Sequence, residues 1–473
     1  MNIDKPKEFL VLKSGIWYTI SHFLVKGMVL ITTPVFTRLL TKDEFGYYSN
    51  YVSWLNIFQV IATLNVQATL VSAKYDYKRN FNEYVLSVFS LSALSILLWT
   101  IFINIFSKEM CSFLSLDIKY INLMFIYLLM LMSITIFQKK EQFFYRYKTT
   151  VIISMIITLF TAFLSIVLVM LFKNKIWGRI LGSVIPTIII GLILCIELIY
   201  KGKRVNIKCW NYALPICLPY IPHLLSMTLL NSMDRTMITK ICGVEFTALY
   251  SVATTCGSAV SVINASLNDA FSPWLADKLN SKEFVKIKKV SYFYVGIFTY
   301  GAFGIMLFSP ELLWLLGGKE YMEAQYVMPP IAMGAICQFL YTMFVNIEQA
   351  RKKTLGMAIA SAIAALINFI LNSIYIPKFG YIAAAYTTLI GFMCLLFMHM
   401  FLVKIIGFSS VYNYKFFLFI ILGMCFLTIG VNYLFVALKL RYLIIAIYLI
   451  SILVFLPKPI NIINTFIKHD KIN

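Results

Sequence analysis

The sequence predicts an all-α polytopic membrane protein with about 14 transmembrane helices, forming two parallel six-helix bundles plus two C-terminal helices. Three observations predict this fold class. Of the 473 residues, 60% are hydrophobic and 13% are charged, whereas soluble domains carry about 25% charged residues. Runs without any charge extend over 149–172 and 180–196, and a helix needs roughly 20 apolar residues to cross a bilayer. The chain also repeats short motifs at intervals of 201 to 207 residues.

Each predicted span is an apolar stretch that must be helical, because only a helix bonds its own backbone where water is absent. In chain order the predicted spans are 14–37, 46–66, 84–106, 119–138, 150–172, 177–199, 211–233, 246–268, 290–316, 324–346, 355–376, 380–404, 416–438 and 442–457. The largest basic connection is predicted to be a loop at 275–289. The spans divide into an N-terminal bundle (1–205), a C-terminal bundle (206–408) and two additional helices (409–473).

Basic residues predict the orientation of these helices. With the N-terminus in the cytoplasm, the inside segments hold 27 of the 41 Lys and Arg residues and the outside loops hold 13. Cytoplasmic loops are enriched in Lys and Arg, so both termini are predicted to be cytoplasmic. The same rule explains most of the net charge of +21, so nucleic acid is not expected as a partner.

Three pairs of motifs, found in register, indicate that the chain arose by duplication. Six spans separate the two copies, so the halves have the same orientation in the membrane. Parallel repeats of this kind are a transporter architecture in which the substrate site lies between the halves. The pairs are Glu141-Gln142 with Glu348-Gln349, Trp177-Gly178 with Phe379-Gly380, and 44–49 with 245–251.

Several functional classes find no support in the sequence. Motifs of metalloproteases, serine hydrolases and phosphate-binding loops are absent, so no enzyme is predicted. The nine cysteines form no C-x-x-C pair and are interpreted as small buried hydrophobes. No cofactor or metal site is therefore expected. Without a nucleotide-binding domain, transport would depend on a gradient, of protons or sodium ions, or on consumption of the product outside.

Lys26 is the most informative single residue, because it lies in the middle of the first predicted span. A lysine at the bilayer centre costs at least about 2.5–3.5 kcal/mol unless it faces water or a partner. His22 and Thr33 share its helical face. Arg38 and Lys240 lie just beyond the first and seventh spans, where basic residues commonly serve as interfacial anchors. Lys26 is therefore predicted to be functional.

The seventh predicted span is unusually polar and rich in proline. Each proline removes a backbone donor, and the freed carbonyls are tolerated only beside protein or a water-filled cavity. The span therefore predicts either a substrate-lining helix or a bent packing helix with an interfacial ion pair at its end. His399, on the apolar twelfth span, is interpreted as a satisfied packing residue. The polar and proline residues of the seventh span are Pro215, Pro219, Pro222, His223, Asn231, Asp234 and Arg235.

Three segments in order resemble the Wzx-type polysaccharide flippases of the multidrug/oligosaccharidyl-lipid/polysaccharide exporter superfamily. The first is PVFTRLLTKDEFGYY at 34–48, similar to the opening signature of that family. The second begins with Leu-Pro at 214–215, contains NSMDRTMI at 231–238 and continues with ALYSVA, where Ala248 replaces a common glycine. The third is NFILN at 368–372, leading to IPKFG and AAA. The resemblance covers nearly the whole chain.

This resemblance implies a V of two bundles around a central cavity, in the bacterial inner (cytoplasmic) membrane. It implies that undecaprenyl-pyrophosphate-linked oligosaccharide moves to the outer leaflet for surface polysaccharide such as O-antigen or capsule. A polysaccharide polymerase and a chain-length regulator are the protein partners it implies, besides membrane lipids. Lys26 and Arg235 are expected to contact the pyrophosphate. The full set of expected substrate-binding residues is Lys26, His22, Arg235, Asp234, His223 and Arg38.

Three other interpretations remain open. A cation-coupled multidrug antiporter of the same superfamily prefers carboxylates within its spans, whereas the clearest charge within a span here is positive. A lipid II flippase clusters arginines along its cavity, whereas the first span offers Lys26 and a peripheral Arg38. A membrane scaffold that transports nothing needs neither the repeat nor Lys26.

Overall fold

The computed structural model describes residues 5–144, 146–257, 259–351 and 355–455, and within these ranges the fold is all-α without any strand. The helices are α1 (Lys5–Leu39), α2 (Lys42–Thr63), α3 (Leu70–Asp76), α4 (Phe81–Ile105), α5 (Ser107–Leu114), α6 (Ile118–Phe143), α7 (Tyr147–Leu171), α8 (Lys175–Gly202), α9 (Lys208–Cys217), α10 (Ile221–Ile241), α11 (Val244–Gly257), α12 (Ala259–Asn280), α13 (Phe284–Leu307), α14 (Ser309–Gly317), α15 (Met328–Ala350), α16 (Leu355–Phe379), α17 (Tyr381–Ile405), α18 (Tyr414–Leu434) and α19 (Leu438–Phe455).

Every predicted span contains at least one of these helices, which confirms the predicted fold class. Ten helical segments of the described chain are long and apolar enough to cross a membrane. An eleventh is the pair Lys42–Thr63 and Val66–Asp76, which is bent by 50°. The total of about 14 spans stays a prediction. Three predicted spans are interrupted within the described residues: the seventh by a short 3-10 turn, and the ninth and tenth by α14 and a 3-10 segment at Lys319–Val327.

The predicted loop at 275–289 is wrong, because most of this segment is helical. Helix α12 continues to Asn280 and α13 begins at Phe284, so the connection is three residues long. Glu283 forms ion pairs with Lys278 of α12 and Lys286 of α13. Hydrogen bonds from these two lysines lower the pKa of Glu283 to about 2. The carboxylate therefore stays ionised and joins the two helices where the sequence suggested only a basic loop.

The two bundles are built from the same helix pairs in the same order. In the first, α1 packs on α7, α4 on α6, and α8 on both α6 and α7. In the second, α10 packs on α16, α13 on α15, and α17 on both α15 and α16. The matching packing confirms the parallel repeat that the motif spacing predicts. Helix α18 then packs against α13 and α15, outside the repeat.

The seventh predicted span is divided between the bundles. Helix α9 packs into the first bundle, where Trp210 Nε1 donates to Ser87 O (2.7 Å) and Tyr212 OH donates to Asp76 Oδ2 (2.5 Å). Helix α10 packs into the second. Between them lies a 3-10 turn at Leu218–Tyr220, with Pro219 and Pro222 in the first turns of their segments. Proline fits there because those backbone positions lack intrahelical acceptors. The predicted domain boundary at 205/206 stays a prediction, but in packing α9 belongs to the first bundle.

The bundles meet at one end of the molecule, which we call the closed end (residues 37–46, 238–248 and 313–321). Thr37 Oγ1 donates to Leu316 O (2.6 Å), and Lys42 forms an ion pair with Glu245 (3.3 Å). Phe45 lies edge-on to Tyr321. At the opposite, open end, α9 and the residues just before it form hydrogen bonds within the first bundle. Between the bundles, α2 also packs on α10 and α11. The V that the family resemblance implies would have its apex at the closed end.

Gly46 sets how closely α2 approaches α11 at this apex. Thr41 caps α2 through a capping box with Glu44, which fixes where the helix begins. A Cβ placed on Gly46 would lie 1.7 Å from the carbonyl oxygen of Val244, well inside van der Waals contact. Only glycine allows this spacing, because any side chain would force the two backbones apart.

We expect Gly46→Val to open the closed end, because α2 and α11 must separate by more than an ångström to admit the side chain. Spin labels on Asp43→Cys and Glu320→Cys, in a cysteine-free background, should report a longer and broader distance distribution. Gly301→Val is the control, since a Cβ there meets no atom within 4 Å. An unchanged distribution for Gly46→Val would show that the approach of these helices does not hold the end closed.

Candidate functional site

Arg235 lies inside the membrane-crossing region and is held by neutral groups. Its Nε lies 3.2 Å from Ser251 Oγ and its Nη2 lies 2.8 Å from Thr254 Oγ1, both on α11. The guanidinium is half-buried, and no carboxylate of the described residues forms an ion pair with it. Hydroxyls orient a cation without neutralising it. The arrangement therefore presents a positive charge that an anionic ligand can stabilise, and a guanidinium matches phosphate oxygens with paired donors.

Asp234, the preceding residue, points in a different direction and is buried. Successive residues on a helix are separated by about 100°, so Asp234 contacts α16 and α17 as well as α11, whereas the side-chain partners of Arg235 lie on α11 alone. Its Oδ2 accepts from Tyr250 OH (2.5 Å) and Thr388 Oγ1 (2.5 Å), and its Oδ1 accepts from Asn372 Nδ2 (2.8 Å). Asp234 and Arg235 therefore do not form the interfacial ion pair that the interpretation of this span as a bent packing helix assumed.

A closed network of amides and hydroxyls surrounds Asp234. Asn372 Nδ2 also approaches Asn368 Oδ1 (3.2 Å), Asn368 Nδ2 donates to Thr388 Oγ1 (3.0 Å), and Thr387 donates to Asn372 Oδ1. All these side chains are buried. Three hydrogen bonds favour the ionised carboxylate whereas its burial disfavours it, and no basic side chain of the described residues lies within ion-pair distance of it. The site can therefore take up a proton or a small cation.

Lys26 projects from a poorly packed part of α1. The surrounding helix exposes Phe23, Leu24 and Val29, with 58%, 42% and 52% of their surface accessible. Lys26 is itself exposed, and its Nζ has no hydrogen bond or ion pair to the described side chains. His22 lies in α1, but its side chain lies outside the described part of the chain. That Lys26 faces a ligand or water stays a prediction.

The other two expected residues lie at opposite ends of the molecule. Arg38 is at the closed end, where it donates to Pro34 O (2.7 Å) and Leu315 O (3.3 Å) and thereby helps to join the bundles. His223 is on α10 just after the 3-10 turn, with its Nδ1 2.9 Å from Ser361 Oγ. The structure thus places Arg235 beside Asp234 and separates both from Arg38 and His223.

Arg179 is a cation that the sequence interpretation missed. Its guanidinium lies between the rings of Phe36 and Tyr48, 3.8 and 4.2 Å from their centroids, and Nη1 donates to Ser165 Oγ (2.7 Å). Two cation–π contacts stabilise a charge inside the first bundle without a carboxylate. The sequence offered a signal, because Arg179 lies within the predicted sixth span. It was grouped with the outside loop because it is only two residues from the start of that span.

Two protein-family models match this chain. A family model described as "Polysaccharide biosynthesis protein" matches residues 11–279, which is more than half of the chain. The MatE family model matches residues 219–374. The second match lies in the C-terminal half and includes both Asp234 and Arg235.

Individual relatives are distant. A segment is 34% identical over 90 residues to the probable low-salt glycan biosynthesis flippase Agl15 of Haloferax volcanii, and this match covers only 19% of each chain. An Lsg-locus protein of Haemophilus influenzae is 22% identical over 350 residues, covering 71% of this chain and 84% of that protein. Among solved structures, the lipid II flippase MurJ in an inward closed conformation is similar, with a TM-score of 0.73 at 16% identity. That comparison covers 93% of this chain and 99% of MurJ, and it concerns the fold alone.

Proposed function

Because this chain belongs to the polysaccharide biosynthesis protein family, we propose that it flips undecaprenyl-pyrophosphate-linked oligosaccharide repeat units across the bacterial inner membrane by alternating access. The observation that carries the proposal is Arg235. Its half-buried guanidinium within the membrane is held by two hydroxyls and lacks a carboxylate partner among the described residues.

The chemistry of the ligand explains why such a cation is useful. A pyrophosphate and a sugar cannot cross hydrocarbon unaided, whereas the lipid tail need not leave it. A cation fixed between the bundles offsets the cost of dehydrating the pyrophosphate. In turn, the anion relieves the cost of keeping Arg235 out of water. Lys26 supplies a second charge of compact shape, which binds phosphate as a point charge.

The shape of the molecule supports one particular state of the transport cycle. If both termini are cytoplasmic, as the distribution of Lys and Arg predicts, the closed end lies outside and the V opens toward the cytoplasm. That is the state that would accept a lipid-linked substrate from the cytoplasmic leaflet. A polymerase and a chain-length regulator would then consume the product on the outer side.

Asp234 is proposed to couple transport to a gradient of protons or sodium ions. Neutralising the buried carboxylate changes how α10 is tied to α16 and α17, because Asn372 and Thr388 donate to that group. Helix α10 also carries Arg235. Ion binding at Asp234 can therefore alter the position of the cation that is proposed to hold the substrate.

A second candidate function, a cation-coupled multidrug antiporter, is favoured by this same carboxylate and by the MatE match over 219–374. We rank it lower because Arg235 and Lys26 would repel a cationic drug, and charges interact strongly in a low dielectric. A lipid II flippase would share the pyrophosphate chemistry, and only its glycan would differ.

The orientation can be tested with single cysteines in a cysteine-free protein. An impermeant maleimide applied to intact cells should label position 319 at the closed end and leave position 282 at the open end unlabelled. The reverse pattern would place the open end outside and contradict the proposed direction of loading.

The substrate class can be tested with a deletion strain of the native bacterium. We expect loss of surface glycan and accumulation of lipid-linked repeat units on the cytoplasmic leaflet, with unchanged efflux of ethidium. Intact glycan together with lost ethidium efflux would replace the flippase proposal with the antiporter.

Complementation of that strain tests the cations. We expect Lys26→Ala and Arg235→Gln to reduce glycan export at least about tenfold, since each removes a charged contact worth more than about 1.4 kcal/mol. Lys26→Arg should keep partial activity, because the charge survives and the head shape changes. Lys108→Ala, at an exposed position near the closed end, is the control. Normal export by both Lys26→Ala and Arg235→Gln at matched expression would remove the basis of the proposal.

Asp234→Asn tests coupling, because the amide keeps the size of the side chain and removes its charge. In proteoliposomes we expect the variant to fold but to lose the acceleration that an imposed proton or sodium gradient gives the wild type. Separate gradients identify the ion. A variant that responds to gradients as the wild type does would assign coupling to another group.

A further inference from the structure

A cavity of ≈ 210 Å³ lies inside the second bundle, toward the open end. Since a water molecule occupies about 30 Å³, the cavity has room for several. Eight of its twelve lining side chains are polar, and polar cavities of this size are normally hydrated, whereas empty ones are apolar. The polar lining residues are His223, Asn268, Tyr341, Thr342, Asn346, Gln349, Ser361 and His399.

Behind one wall of this cavity lies a buried acid–base pair. His399 Nδ1 of α17 is 2.8 Å from Glu348 Oε1 of α15, and the two side chains are 2% and 1% exposed. The ring of Tyr341 is stacked on the imidazole, with centroids 5.6 Å apart. His399 lines the cavity and Glu348 does not, so the imidazole lies between the carboxylate and the cavity.

The pair has an unused polar atom. Glu348 Oε2 is buried and has no hydrogen-bond partner among the described residues. An ionised carboxylate with a free buried oxygen is costly in the membrane interior, and a neutral imidazole does not offset its charge. One additional proton, on either group, makes the pair neutral overall. The pair is therefore built so that proton uptake relieves a desolvation cost.

Few other ionisable groups face the pair. Helix α10 contributes His223, while α12 and α16 contribute only neutral side chains to the cavity, those of Asn268, Met357 and Ser361. Tyr412, just before α18, and Tyr414, at its start, donate to the carbonyls of Met343 and Met400.

The nearest basic residue on α15 is directed elsewhere. Arg351 donates to Leu279 O (3.1 Å), and its guanidinium lies over the ring of Phe408. Among the described residues, therefore, no Lys or Arg side chain forms an ion pair with Glu348, and His223 is the other basic side chain at the cavity.

We propose that Glu348 and His399 form a proton-binding site, loaded from the open end through the hydrated cavity and separate from Asp234. A proton from water adds to the pair, whose net charge changes from −1 to 0, and no other bond is made or broken. This inference rests on the proposed gradient coupling and identifies a second group that can carry it.

The position of the pair connects it to the moving parts. His399 and Thr388 are both on α17, eleven residues apart, which is about 16 Å along a helix. His223 and Asp234 are separated by the same interval on α10. The cavity therefore lies about 16 Å along these two helices from the Asp234 network. Its wall includes the part of α10 that directly follows the 3-10 turn between α9 and α10. Protonation of the pair would change the packing of α15 against α17 next to that turn.

The duplication supplies a matched control. Glu141 on α6 is the counterpart of Glu348, is likewise buried and is likewise followed by a glutamine. Its partner is Arg146, 3.6 Å away, rather than a histidine. The carboxylate of Glu141 therefore has a permanently charged partner, which the carboxylate of Glu348 lacks.

The test is pH-difference infrared spectroscopy of the purified full chain in lipid nanodiscs, with the proton as the only ligand. We expect the wild type to show a carboxylic acid band that titrates. Glu348→Gln should remove this band and Glu141→Gln should leave it. His399→Gln should shift the midpoint of the band, because the imidazole that contacts Glu348 Oε1 and can share the proton is lost.

Two results would overturn the proposal. One is a titrating band that persists unchanged in Glu348→Gln. The other, decisive if Glu348→Gln fails to fold, is an unchanged midpoint in His399→Gln. Asp234→Asn, measured in parallel, identifies any band that belongs to the other acid. The infrared experiment contains no lipid-linked sugar, so its outcome does not depend on the proposed substrate. Conversely, if no band titrates, the expected loss of surface glycan in the deletion strain is unaffected.

Discussion

The cost of holding a charge inside a membrane is the constraint on which the rest of this structure depends. Two adjacent residues of α10 meet this cost in different ways. Asp234 is buried and accepts from three donors on α11, α16 and α17, whereas Arg235 is held by two hydroxyls and is half-buried. The acid has its hydrogen bonds satisfied within the protein, and the base is left without a counter-charge. A site that keeps such a cation favours an anionic ligand, and a pyrophosphate carried on a lipid is an anion that arrives through the bilayer.

The same helix connects this chemistry to movement. Helix α10 is covalently joined to α9, which belongs to the first bundle, through the short turn at Leu218–Tyr220. Gly46 and the Lys42–Glu245 ion pair hold the bundles together at the other end. A rocking motion of the bundles therefore strains or relaxes contacts at the closed end while the turn absorbs the change in direction. Both buried acids proposed to bind ions lie on or beside elements that contact α10, so changes in their charge act where the bundles are joined.

Much of the fold could be predicted because hydrophobic length and motif spacing report it directly. Apolar runs located the spans, and the Glu-Gln pairs at 141 and 348 indicated the repeat. Lys26 was found because a charge within an apolar run is conspicuous, and Arg235 because it ends an unusually polar, proline-rich span. The Glu348–His399 pair was not found, since its members are 51 residues apart and meet only through the packing of α15 on α17. His399 was interpreted as a satisfied buried residue, which agrees with the structure, but its acidic partner could not be read from periodicity. The helical nature of 275–289 was missed because charge on a helix surface resembles a loop.

The central claim, that cations within the bundles bind the pyrophosphate of a lipid-linked substrate, can be measured most directly by native mass spectrometry of the purified protein. Undecaprenyl pyrophosphate and undecaprenyl phosphate, supplied at equal concentration, should compete for the wild type in favour of the pyrophosphate. Arg235→Gln should lose most of this preference, and Lys108→Ala should retain it, because Lys108 is an exposed residue outside the site. Equal binding of both lipids to the wild type, or an undiminished preference in Arg235→Gln, would contradict the account.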